Sequence, residues 1–90
     1  MGKEIVLFKS EERMDVHSVS ALLHQLADRL AENQVILRKG TEEVRLTIPD
    51  NVILELKVEE EIKRGKTQHS LEIEIEWLEG DESGGVVTLG

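Results

Sequence analysis

The chain has 90 residues, no cysteine, 39% hydrophobic residues and a formal net charge of −8 from 19 acidic and 11 basic side chains. One domain of this size hides roughly 60–65% of its unfolded surface, disulfides and thiolate metal sites are excluded, and no apolar run approaches the ~20 residues of a membrane span. The acidic balance argues against nucleic-acid binding, which rests on Lys and Arg neutralising phosphates, and Phe8 and Trp77 alone cannot make a platform for stacking bases.

Residues 3–9 read as a first strand. Ile5, Val6, Leu7 and Phe8 run together without alternation, so the strand is expected to be covered in part on both faces, by a helix, a tail or another subunit. Met1–Val6 lacks the apolar core of a signal peptide, and position 6 is not the Ser or Thr of a myristoylation signal. Small secreted domains often need disulfide staples, so their absence points to the cytoplasm.

After the polar Ser10-Glu11-Glu12-Arg13, Asp15 is the N-cap of a helix over about 16–32. Its apolar residues Val16, Val19, Leu22, Leu23, Leu26, Ala27 and Leu30 recur in steps of three and four, which makes one stripe. Asn33 is the stop, because Asn tolerates the left-handed conformation that ends helices.

Four strands follow as hairpins. The first pair covers about 34–39 and 43–48, joined by Gly40-Thr41, where Gly accepts the positive φ of a type II′ turn. That turn places Leu37 opposite Val44 and Val35 opposite Leu46, and both strands then agree on which face is apolar. Pro49-Asp50-Asn51 is a turn. The second pair covers about 52–62 and 69–78, returning within Arg64-Gly65-Lys66-Thr67. Any two-residue turn there pairs even positions with odd ones, so Leu54, Leu56 and Val58 face the same way as Leu71, Ile73, Ile75 and Trp77. The fold class is therefore α+β in the order βαββββ: an antiparallel meander sheet with one amphipathic helix packed on one face. Residues 1–80 form the domain and 81–90 a flexible tail, whose Val86-Val87-Thr88-Leu89 offers an edge strand or a partner contact.

The stretch Leu71-Glu72-Ile73-Glu74-Ile75-Glu76-Trp77 alternates strictly and ends in tryptophan. With the helix Val19–Leu30, Val35-Ile36-Leu37, Val44-Arg45-Leu46, Pro49 and Val52–Leu56, it resembles the amphi-Trp domain family over about residues 4–78. That family is functionally uncharacterised. The resemblance implies a fold and brings no catalytic, cofactor or metal residues.

Two features carry the functional reading. Trp77 either closes the bottom of the core, as its parity suggests, or anchors a partner with its indole N–H at a polar rim. Glu55, Glu59 and Glu61 lie beside Glu72, Glu74 and Glu76 on the outward face, with Lys57, Lys63 and Arg45 for partial relief. Carboxylates two apart on a strand sit roughly 7 Å apart, too far to share an ion. A cross-strand pair about 5 Å apart could share one. The alternatives are a solvated face and a surface for a basic partner.

His17 and His24 share a helix face but stand about 10.5 Å apart along the axis, so they cannot chelate one metal. His24 and Asp28 can pair on the surface, and His69 begins the last strand. Gly65-Lys66-Thr67 ends like a phosphate-binding loop, but Glu60 stands where the first glycine belongs and a strand follows. Gly80-Asp81-Glu82-Ser83-Gly84-Gly85 is likewise no serine-protease segment, because an extra Glu interrupts it.

No catalytic, cofactor or metal residues are nominated, and no small-molecule substrate site is evident. The residues expected to face a partner are Glu55, Glu59, Glu72, Glu74, Glu76 and Trp77. The expected function is a non-catalytic protein-interaction or scaffold module whose partner is a second copy, as a homodimer, or another protein, without nucleic acid or membrane. The alternative is an acidic chaperone-like or regulatory module that binds a basic segment through its Glu rows.

Overall fold

A computed structural model of the chain describes residues 2–79. It has one helix, α1 (Val16–Ala31), and four strands, β1 (Gln34–Lys39), β2 (Glu42–Thr47), β3 (Ile53–Lys63) and β4 (Lys66–Glu76). The layout is α+β with antiparallel pairing throughout. The chain divides into two compact units, the first ending at Ile48 and the second beginning at Pro49.

In the first unit, α1 begins where Asp15 caps it. Its Oδ1 accepts the Ser18 N–H at 2.7 Å, satisfying one of the four amides that a helix start leaves without an internal partner. The helix ends at Ala31 with Glu32 as its C-cap, and Asn33 after it, at φ +61°, turns the chain away. The Asn33 N–H donates to the Leu30 carbonyl, its side-chain amide donates to the Ile48 carbonyl at 2.9 Å, and the Ile48 N–H returns a bond to the Asn33 carbonyl at 2.8 Å. Asn33 thus turns the chain away from the helix and clamps the open end of the β1–β2 hairpin.

That hairpin turns through Gly40-Thr41 with Gly40 at φ +60°, and Leu37 meets Val44 while Val35 meets Leu46, the register that the two-residue turn predicts. Helix α1 packs against β1. Val35 (4% exposed) and Ile48 (7%) are the buried apolar residues among those described, with Val44, Leu46, Leu26 and Leu30 half-buried around them.

In the second unit, β3 and β4 run antiparallel over eleven residues each. Their turn, Arg64-Gly65, holds both residues at positive φ, +51° and +77°. That is the type I′ geometry whose twist matches the flanking strands. Lys63 faces Lys66, so even positions of β3 face odd positions of β4, as the sequence requires.

Three expectations need correction. Residues 3–9 form no strand: no described strand pairs with them, and a lone extended segment has no ladder to satisfy its amides. The four hairpin strands form two two-stranded sheets instead of a single meander sheet. A tight turn sets the register within each hairpin, whereas the connection 48–52 sets none, and Pro49 has no N–H to give a ladder. Thirdly, Leu54, Leu56, Val58, Leu71 and Ile73, expected to face inward, are each more than half exposed. The tail 81–90, including Val86–Leu89, lies outside the described residues.

Candidate functional site

The β3–β4 hairpin sorts its side chains by strand parity into two contrasting surfaces. On one face the opposed pairs are Leu54 with Ile75, Leu56 with Ile73, Val58 with Leu71, Glu60 with His69 and Ile62 with Thr67. This is an aliphatic stripe crossed by a single polar row. In that row His69 Nδ1 lies 3.5 Å from Glu60 Oε2. Glu60 is not one of the outward acids, and the turn parity alone places it here: an even position on β3 shares the face of Leu56 and Val58.

The opposite face carries the charge. Glu55 stands directly across from Glu74, and Lys57 directly across from Glu72. Lys57 Nζ lies 3.4 Å from Glu72 and 3.9 Å from Glu59, and these carboxylates hold its ammonium above the ordinary lysine value, Glu59 first. Among the described residues no cation comes within ion-pair distance of Glu55 or Glu74, and Glu55 acts on Lys57 only as its weakest charged neighbour. The Glu74 carboxyl is held above the ordinary value, first by the hydrogen bond it shares with Glu55, then by the charges of Glu76, Glu55 and Glu72. Two like charges set opposite each other are relieved when one of them keeps its proton. Glu59 faces Ser70 and Glu76 faces Ile53. Lys63 pairs with Glu61 at 3.4 Å. Arg45, expected to relieve these acids, instead donates to Glu43 at 2.8 Å on the other hairpin. There Arg45, and less strongly Arg38, hold the Glu43 carboxyl below its ordinary value.

Trp77 follows the last residue of β4 and is half-buried. With Pro49, Val52, Ile53, Glu76 and Leu78 it lines a shallow, mainly apolar cleft of about 460 Å³. The indole therefore stands at the end of the aliphatic stripe with one side open. Of the six residues expected to face a partner, Glu55, Glu59, Glu72 and Glu74 share the charged face, Glu76 borders both that face and the cleft, and Trp77 belongs to the cleft. The sequence signal for the cleft is the apolar pair Val52 and Leu78 flanking the ends of the two strands.

Among the described residues no three His, Asp or Glu side chains gather closely enough to hold a metal ion, and no helix is long and apolar enough to cross a membrane. No curated protein and no solved structure matches the chain at a significant level. A family model does match, over residues 1–89, and so takes in the segment after Trp77 as well as the strands before it. By that match the chain belongs to the Amphi-Trp domain family.

Proposed function

We propose that the chain is a non-catalytic protein-interaction or scaffold module of the cytoplasm, and that it works as a homodimer or with another protein. The observation that carries this reading is the division of β3–β4 into one aliphatic and one charged face, with aliphatic side chains exposed on the first. A contiguous apolar patch of this size on a folded chain marks a contact surface. Among the described residues, Glu74 is the carboxyl held above its ordinary value; it lies exposed on the sheet face, and its hydrogen bond with Glu55 is the first cause, followed by the charge of Glu76. A catalytic carboxyl is more often raised by burial in a cleft.

Molar mass by light scattering at low and high salt, read with uptake of an apolar dye, tests this. A stable assembly at both salts is the expected result. A monomer that also takes up no dye would refute the reading, because no apolar face would then be open and no partner would be covering it.

A second reading is favoured by the Glu55–Glu74 pair. A basic peptide segment laid on the face of Glu55, Glu72, Glu74 and Glu76 would neutralise charges that now repel one another. Titration with an oligolysine peptide should then show binding at low salt that is lost at high salt, and salt-independent or absent binding would remove this reading.

A further inference from the structure

We infer that the tip of the second hairpin, Lys63-Arg64-Gly65-Lys66, docks end-on against a segment of a partner protein that carries clustered anions, carboxylate or phosphate. This rests on the reading of the chain as an interaction module and names the chemistry of a partner. Three observations carry it.

The first is where the cations stand. Residues 49–79 of the second unit hold four Lys and Arg side chains against nine Asp and Glu. Three of the four cations fall within the four residues of the tip. The fourth, Lys57, lies between Glu59 and Glu72 on the charged face. A surface charged only for solubility intersperses the two signs. Here they are sorted, and the hairpin reverses its sign at one end.

The second is that the tip departs from local preference twice. Arg64 holds φ +51°, a left-handed conformation that Asn or Gly adopts at lower cost. Lys63 stands directly across from Lys66, and like charges opposed on a sheet repel. Both departures involve cations, and both fall in one turn. Such departures cluster where a site needs the residues that make them.

The third is that the second unit does not balance these charges itself. Lys63 reaches Glu61 at 3.4 Å, but among the described residues no carboxylate lies within ion-pair distance of Arg64 or Lys66. Nor can Asp81 and Glu82 supply one. They follow Glu76 by five and six residues, a reach of at most about 21 Å. The ten strand residues from Glu76 back to Lys66 span about 33 Å.

The rest of the hairpin restricts the partner. Glu61 and Glu59 come within four residues of Lys63, and Glu72 and Glu74 follow on the other strand. A nucleic acid or an anionic bilayer would bring its own charge against these rows. A short acidic segment need touch only the turn. There the guanidinium grips paired oxygens and the two ammonium groups add point charges.

The experiment is amide NMR on the full chain, titrated with a deca-glutamate peptide and with a serine-glutamate peptide with and without phosphate on its serines. The expected result is binding at low salt, lost at high salt, with shifts centred on Lys63–Thr67. Binding of deca-glutamate assigns carboxylates as sufficient, and binding of the phosphorylated peptide alone assigns phosphate. Arg64→Asn should weaken binding about fivefold. That variant suits the turn better than the wild type, so its loss cannot come from unfolding. Lys63→Gln with Lys66→Gln should weaken binding about tenfold, and Lys57→Gln should leave it unchanged.

No salt-sensitive shift at the tip with any of these peptides would overturn the inference. So would an equal loss in Lys57→Gln, because binding would then follow net charge and not position. Equally tight binding of inorganic phosphate alone would overturn the assignment to a protein segment. A stable assembly by light scattering that binds no acidic peptide would remove the tip and leave the interaction-module reading standing.

Discussion

The two hairpins share one sequence grammar and differ in their surroundings. Both alternate apolar and polar residues, both close through a two-residue turn containing glycine, and both hold the register that those turns dictate. Yet β1–β2 has a helix packed against it and holds both buried residues of the described chain nearby, whereas β3–β4, nearly twice as long, buries none. Alternation determines which residues share a face. It does not determine what covers that face, because the cover comes from elsewhere.

The sharpest way to break the comparison is a charge on each apolar side. Val35→Asp places a carboxylate in the buried layer of the first hairpin and should cost about 3 kcal/mol or more, read by thermal and urea unfolding. The matching change on the second hairpin, Leu56→Asp, should cost much less, because Leu56 is 64% exposed. An unaffected Val35 variant would mean that the two faces of β1 are reversed.

Asn33→Ala comes next. It loses the side-chain bond to Ile48 and puts a less tolerant residue at φ +61°, which should cost about 1–2 kcal/mol. Asn33→Gly keeps the backbone freedom and should lose about half as much, so comparing the two melts separates the two contributions. Asp15→Ala removes the cap on Ser18 and should cost about 1 kcal/mol, whereas Asp15→Ser should be nearly neutral.

On the second hairpin the expected changes are gains. Arg64 sits at φ +51°, and Asn is far better suited there, so Arg64→Asn should raise stability by about 0.5 kcal/mol. Glu74→Gln should give the smallest effect. In the wild type the folded carboxyl holds its proton above the ordinary value of 4.5, so stability falls as pH rises through that window and stays lower above it. The variant should therefore melt slightly higher at neutral pH and lose this advantage below 4.5, where both states of the wild type are protonated. An advantage that grows at acid pH would reverse the sign and place the strain elsewhere.

Most of the local structure is legible in the residues. Asp15 and Asn33 bracket the helix for chemical reasons that act within four residues. Gly40-Thr41 and Arg64-Gly65 set both registers through strict parity, and the Glu55–Glu74 opposition follows from the same parity. What the residues do not carry is longer-range. The run Ile5–Phe8 has strand composition, but a strand exists only with a neighbour to bond, and composition does not name one. Leu54, Leu56 and Val58 have the pattern of an inner layer, and that pattern is identical whether the cover lies within the chain or beyond it. Trp77 keeps the parity of Ile75, yet pairing stops at Glu76, so its indole lines an open cleft where a closed core floor was expected.

The paired hydrogen bonds between Asn33 and Ile48 also bear on how the chain folds. They close a segment whose ends are only 15 residues apart in sequence. Loops of about ten residues close in roughly 10–100 ns and hairpins form in about 1–10 μs, so this segment is kinetically local and inexpensive to nucleate. The clamp needs no residue after Ile48, so its formation does not wait on the pairing of β3 with β4.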